Sequence, residues 1–177
     1  MATPEEIVAA LRSRFPQTVF EAQPLVVHDG KPGDQSYVRV EPEKLLEVMR
    51  FLRDDSRTRF EQLSDLAGVD YLNFPGAADR YGVVYSLLSL THNHRFWVKC
   101  FANDPSPKMP SVVSIWPGAD WMEREVYDMF GVVFEGHPDL RRILTWDGFE
   151  AHPLRKDYPL RGKGERENFE VVTRESV

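Results

Sequence analysis

A chain of 177 residues, 42% hydrophobic and 28% charged, has the make-up of one soluble domain with enough apolar mass for a sizeable core. Its net charge of −6, with an acidic body and a near-neutral C-terminal stretch, excludes the basic face of a nucleic-acid binder. A single cysteine, Cys100, excludes an internal disulfide, an iron–sulfur cluster held by this chain alone and a structural zinc site of the usual type.

Thr3-Pro4-Glu5-Glu6 combines a capping box with proline at the first helical position. The spacing predicts a helix with Ile7, Val8, Leu11 and Phe15 on one face, stopped by Pro16, and this acidic opening is not a signal peptide. Val19-Phe20 and Leu25 to Val27 read as short strands, His28 to Gly33 as a turn, and Tyr37 to Val40 as an alternating strand. Pro42 opens a second helix with Leu45, Leu46, Met49 and Leu52 inward. Phe60 to Leu72 reads as a strand with an irregular start, and Asn73 to Gly76 as a turn. Tyr81 to Leu90, apolar nearly throughout, is predicted to be a central strand. This stretch and the residues to His94 form the longest run without charge, too short and too polar to cross a bilayer, which takes about 20 apolar residues. His92-Asn93-His94 is the expected hairpin tip, and Arg95 to Phe101 returns with Phe96, Val98 and Cys100 on one face. A proline-rich loop and Val112 to Ile115 lead to a third helix, Ala119 to Phe130, closed by Gly131.

Beyond that helix, Pro138, Pro153 and Pro159 with several glycines describe an extended arm rather than a periodic element. The predicted fold is α+β: helices packed on one face of a small mixed, mainly antiparallel sheet, with an extended C-terminal arm. Residues 1–135 are expected to form the α+β globular domain, and 136–177 a partner-docking arm, either disordered or laid across something else.

The segment from Trp121 to Ile143 carries the densest mixture of charge, aromatics and Gly/Pro punctuation. On a helical wheel Met122, Val126, Met129 and Phe130 form the apolar stripe, with Glu123 and Glu125 on its opposite edges. The two glutamates diverge too far to serve one small substrate as a carboxylate pair. Arg124 and Asp128 are spaced to pair locally. Three readings remain: a solvated charged face, a catalytic cluster, or a partner interface. Trp121 and Tyr127 among the charges favour the interface. His137, before Pro138 and Asp139, reads as a turn histidine whose ring bonds a backbone carbonyl or Asp139. His92 and His94 lack a third metal ligand nearby, and Cys100 reads as a small buried residue. No phosphate-binding glycine loop and no nucleophile elbow is present. Arg141, Arg142, Arg155 and Lys156, alternating with Asp139, Asp157 and Tyr158, suit a docking arm.

Glu123-Arg124-Glu125-Val126-Tyr127-Asp128-Met129-Phe130-Gly131, followed by Gly136-His137-Pro138-Asp139-Leu140-Arg141-Arg142-Ile143-Leu144, closely resembles the 30-kDa subunit family of respiratory complex I (NADH:quinone oxidoreductase, NDH-1). Trp116 to Trp121, His152 to Leu160 and Leu63 to Tyr71 look like its further motifs. The match is specific from Trp116 to Leu160, looser over 35–115, and absent from the first 30 residues. Met122 stands where an aromatic is common and Tyr127 where tryptophan is frequent, and the tail ends soon after Phe169 to Val172.

The resemblance implies a structural subunit, without cofactor, of the complex's peripheral arm. It would lie on the cytoplasmic side of the cell membrane, against the 49-kDa-type subunit of the quinone pocket and near the terminal iron–sulfur cluster subunit. NADH, FMN, iron–sulfur clusters and quinone are then implied for the assembled complex. Trp121, Glu123, Arg124, Glu125, Tyr127, Asp128, His137, Asp139, Arg141, Arg142, Arg155, Lys156, Asp157 and Tyr158 are the expected interface. The related alternative is the equivalent subunit of a membrane-bound nickel–iron hydrogenase or ferredoxin-linked complex. The remote one is a stand-alone hydrolase using Glu123, Asp128 and His137.

Overall fold

The computed structural model of the chain describes residues 3–18, 20–26 and 32–165. Helix α1, Pro4–Arg14, starts at the expected capping box, in which Thr3 and Glu6 exchange side-chain and backbone hydrogen bonds. Strands β1 (Gln23–Val26) and β2 (Pro32–Arg39) follow, then α2 (Pro42–Asp54), β3 (Gln62–Asp70), β4 (Tyr81–Ser89) and β5 (His94–Ala102). A short β6 (Lys108–Pro110), α3 (Ala119–Phe130) and β7 (Val133–Glu135) complete the order.

The main sheet runs β1-β2-β5-β4-β3, with only the β2–β5 pair parallel. It is the mixed, mainly antiparallel sheet of an α+β fold that the sequence predicts. The long apolar run is central as expected: β4 lies between β3 and β5, paired residue for residue with β5 from Tyr81↔Ala102 to Ser89↔His94. The irregular start of β3 is a register shift between Leu63 and Asp65. Along β5, Phe96, Val98 and Cys100 are buried while the alternate positions Trp97, Lys99 and Phe101 are only half-buried. The buried face meets the helices: Leu11, Leu45, Met49, Leu52 and Val126 share one continuous core with Val38, Val83, Tyr85, Leu87 and Val98. Helix α3 sits directly on β3, so closely that a Cβ at Gly68 would fall 2.6 Å from the Phe130 ring.

Two local expectations are corrected, and one small sheet goes beyond them. Phe20 is buried but lies in no strand; it packs against Phe15, and its carbonyl accepts from Arg12 Nε. Pro32 and Gly33 belong to β2 rather than to a turn, because the β1–β2 ribbon extends to the pair Val26↔Pro32. A second, parallel two-stranded sheet of β6 and β7 was not predicted: its three-residue strands are too short for a periodicity to register. Val19, residues 27–31 and Phe169 to Val172 lie outside the described residues.

Candidate functional site

Helix α3 ends where its sequence says it must. Gly131 adopts φ 76°, and its N–H closes onto the Tyr127 carbonyl. The wheel is right about Val126, Met129 and Phe130, which are buried, but three charged residues of the supposed polar face are buried too. Glu123 and Asp128 are fully enclosed and Arg124 is 8% exposed, which overturns the solvated-face reading. Charge goes inside only when other groups bond it, and here those groups come from flanking chain on both sides of the helix.

Asp128 receives five donors. Its Oδ2 accepts the consecutive N–H groups of Ile143 (3.0 Å), Leu144 (2.7 Å) and Thr145 (2.9 Å). Its Oδ1 accepts from Arg142 Nη1 at 2.8 Å and from the Thr145 hydroxyl. Burial alone would raise the pKa of this carboxyl, but the bonds from Thr145, Leu144 and Arg142 outweigh it and bring it down to about 2. Arg124 does not pair with Asp128 as its spacing suggests. Its guanidinium reaches the carbonyls of Arg141 (3.2 Å) and Arg142 (3.5 Å) and lies over the Trp121 ring. Residues 141–145 are thus gripped between a helical anion and a helical cation.

The arm also finishes the helix. The last carbonyls of an α-helix have no partner within it. Here Asp128 O meets His152 Nδ1 (2.9 Å) and Arg142 Nη1 (3.3 Å), Met129 O accepts from Leu154 N–H (3.1 Å), and Phe130 O accepts from Arg155 Nε (2.6 Å). Cations at this end also complement the helix dipole. The fit is close: a Cβ at Gly131 would lie 2.4 Å from Arg155 Nη2 and 2.5 Å from His152 Nε2. A second anchor lies at the end of β3. Buried Asp70 accepts from Lys156 N–H at 2.8 Å, and Arg80 bridges Asp70, Asp104 and Asp157. Phe149 packs between Trp146 and Tyr158, whose hydroxyl donates to Glu165.

Glu123 belongs to a different cluster. Its Oε1 accepts from Val112 N–H at 2.7 Å, while among the described residues its Oε2 has no hydrogen-bond partner. His137 sits 4.0 Å from that oxygen and is the expected turn histidine: Nδ1 accepts from Asp139 N–H at 3.0 Å, so the proton is on Nε2, which donates to the Asp120 carbonyl at 3.1 Å. Burial, resisted by Ser111 and Val112 and reinforced by Asp120, pushes the Glu123 carboxyl up to about 7.

The expected interface residues therefore divide. Glu123 turns inward to the loop before α3, while Arg124, Asp128, His137 and Arg142 turn inward and hold the arm. Arg155 and the backbone of Lys156 do the same, as does Asp157 through Arg80. Tyr127 is half-buried against His152, and Asp139 pairs with Arg141 at the surface. Trp121 (67% exposed) and Glu125 face outward, joined by Leu144 (61%) and Leu154 (53%), exposed apolar side chains that the charge pattern did not single out. His92 and His94 stack on each other, and His92 Nε2 meets the Ser56 carbonyl. Among the described residues no group of three His, Cys, Asp or Glu side chains could hold a metal. Cys100 is buried, with burial pushing its thiol up to about 12, far from a reactive thiolate. Asp128, Glu123 and His137 do not converge on one reacting position, because the Asp128 carboxylate is filled by its five donors.

The family described as "Respiratory-chain NADH dehydrogenase, 30 Kd subunit" matches residues 38–164, a span that takes in Asp70, all of α3 and both arm anchors. The chain belongs to this family. Among curated relatives, it is 42% identical to the C subunit of NADH-quinone oxidoreductase from Halorhodospira halophila, over 93% of this chain and 80% of that one. It is 46% identical to the same subunit of a Methylobacterium species, over 86% of this chain and 68% of that one. With a mitochondrial NADH dehydrogenase [ubiquinone] iron-sulfur protein 3 of Candida albicans it shares 50% identity, over 73% of this chain and 45% of that longer one. Among solved structures it is similar to a trypsin-resistant fragment of Nqo5 (32% identity, TM-score 0.63), covering 77% of this chain and 98% of that one. It is also similar to a chain of an archaeal membrane-bound sulfane sulfur reductase (27% identity, TM-score 0.68), over 88% of this chain and 85% of that one.

Proposed function

We propose that the chain is a structural subunit, with no cofactor of its own, of the peripheral arm of a proton-translocating NADH:quinone oxidoreductase. In this reading residues 136–177 and the outer side of α3 form its docking arm, braced against the quinone-pocket subunit and the subunit holding the terminal iron–sulfur cluster. NADH, FMN, clusters and quinone then belong to its partners. Family membership supports the assembly. The observation that supports docking through this region is the five-donor closure of Asp128. It fixes residues 142–145 before any partner arrives, which removes ordering cost from association. The inward-facing charges position that surface, and Trp121, Leu144 and Leu154 supply exposed apolar anchors. No described helix is long and apolar enough to cross a membrane, so in this reading the chain is held at the cytoplasmic face of the inner membrane through its partners.

The test is affinity capture of the tagged full chain from native membranes in mild detergent, with metal and absorbance analysis of the chain alone. A multi-subunit NADH-oxidising complex and a colourless, metal-free chain are expected. Capture of the chain alone, or stoichiometric metal on it, overturns the reading. A second reading, the equivalent subunit of a related membrane-bound electron-transfer complex, is favoured by the likeness to the archaeal sulfane sulfur reductase chain. The same capture separates the two by the redox partner that donates electrons.

A further inference from the structure

The face of the sheet turned away from α3 carries a cleft of about 500 Å³ beside the β2–β5 pair. Its floor is aromatic: Tyr71 and Phe101 lie over the backbone of Gly82, within 2.8 and 3.1 Å of where a Cβ would stand. Phe74, 62% exposed, meets Tyr71 edge-on, with ring centroids 5.7 Å apart. Tyr37 forms the opposite wall, its hydroxyl donating to Gln23.

The charges in this cleft are unevenly paired. Arg39 lies over the Phe101 ring and is neutralised by Asp79 at 2.7 Å and Glu41 at 3.1 Å. Asp79 also accepts from Asn103, so its carboxylate is fully engaged. Lys99 is different. Its ammonium lies 3.9 Å from the Tyr37 ring centroid, half-buried, and among the described residues no carboxylate pairs with it. Burial lowers its pKa from the ordinary lysine value. In a chain with 28 acidic against 22 basic residues, a half-buried ammonium without a carboxylate is a charge left open for a partner.

We propose that this cleft is a second docking site, which takes an acidic peptide segment of a partner protein with one carboxylate on Lys99 and a flanking aromatic or proline side chain against Tyr71 and Phe74. The inference rests on the reading of the chain as a subunit of an assembly. The carboxylate is required by the cation, and the flat flanking group by the aromatic floor. Because the cleft and α3 lie on opposite faces of the sheet, its occupant contacts a face separate from the one that α3 covers.

The test compares the full chain in its purified assembly with the full chain alone. Amines are acetylated, and modification of Lys99 is measured by mass spectrometry relative to the surface residue Lys44. A parallel sample is treated with a zero-length carbodiimide, which joins amines only to carboxylates in contact with them. Severalfold protection of Lys99 in the assembly, with coupling of Lys99 to an Asp or Glu of another subunit, is expected. Lys99→Glu combined with Phe74→Ser should weaken retention of the chain roughly tenfold, the effect of losing one partly desolvated charge pair. The variant should keep the melting temperature of the isolated chain. Equal acetylation of Lys99 in both states, or coupling only to this chain or to a second copy of it, overturns the proposal and leaves the subunit reading standing. Recovery of no assembly at all overturns both.

Discussion

One guanidinium nitrogen of Arg142 binds Asp128 twice: Nη1 lies 2.8 Å from the side-chain Oδ1 and 3.3 Å from the main-chain oxygen of the same residue. The arm is thereby tied to both the face and the end of α3 through a single pair. Removing the charge should show how much of the arm depends on it. Asp128→Asn places an amide among five donors and leaves Arg142 half-buried without its anion, a change of roughly 2–4 kcal/mol. Denaturant melts should show that loss, and limited proteolysis should cut within residues 141–158 before it cuts the sheet. The difference from wild type should persist down to about pH 4 and narrow below it. A depressed carboxyl contributes stability above its unfolded value near 3.8, and that stability is lost as the pH falls through about 2. Wild-type proteolysis of the asparagine variant would dismiss the clasp.

Glu123→Gln should act in the opposite pH direction. The carboxyl is raised from 4.5 to about 7, so its contribution to stability is complete below 4.5 and is lost as the pH rises through 7. Glutamine keeps an oxygen for Val112 N–H and carries no charge at any pH. Melting curves of the two proteins should nearly coincide at pH 4, and the variant should be more stable at pH 8 by roughly 2–3 kcal/mol. Parallel curves at every pH would sink the raised titration of this carboxyl.

Gly131→Ala combines a positive φ with a methyl group that has no room beside Arg155 and His152. A loss of at least about 2 kcal/mol is expected, since both the backbone and the cap contacts oppose the substitution. Ordinary stability in this variant would mean that the arm can shift without cost.

Trp121→Ser with Leu144→Ser tests the outward surface. Both side chains are largely exposed, so the melting temperature of the chain should change by no more than the equivalent of about 0.5 kcal/mol. Capture of partner subunits from membranes should fall sharply. Full capture by the double variant would move the docking surface elsewhere.

Local chemistry made much of this molecule legible. The capping box of α1, the bounds of α3, the glycine that ends it and the bond from Asp139 N–H to the His137 ring all follow from residues within a few positions of one another. The central strand was legible from its unbroken apolar run. The Asp128 clasp was not, because its acceptor and donors are separated by up to 17 residues and the donors are mostly backbone groups, which any sequence supplies. Spacing therefore suggested an Arg124–Asp128 pair that tertiary partners replaced. The burial of Glu123 escaped for a related reason: the Val112 N–H that meets it comes from the loop before α3, outside any helical wheel.

The closure of α3 by residues 142–155 has a consequence for how the chain is made. Those residues emerge from the ribosome after the helix they complete, so a nascent or truncated chain ending near Gly136 has three open carbonyls where the finished protein has a capped end. On the docking reading proposed above, such a fragment lacks the surface formed by the clasp and would not compete with whole chains for their place. On that same reading, assembly is biased toward chains that have been finished, without a separate proofreading step.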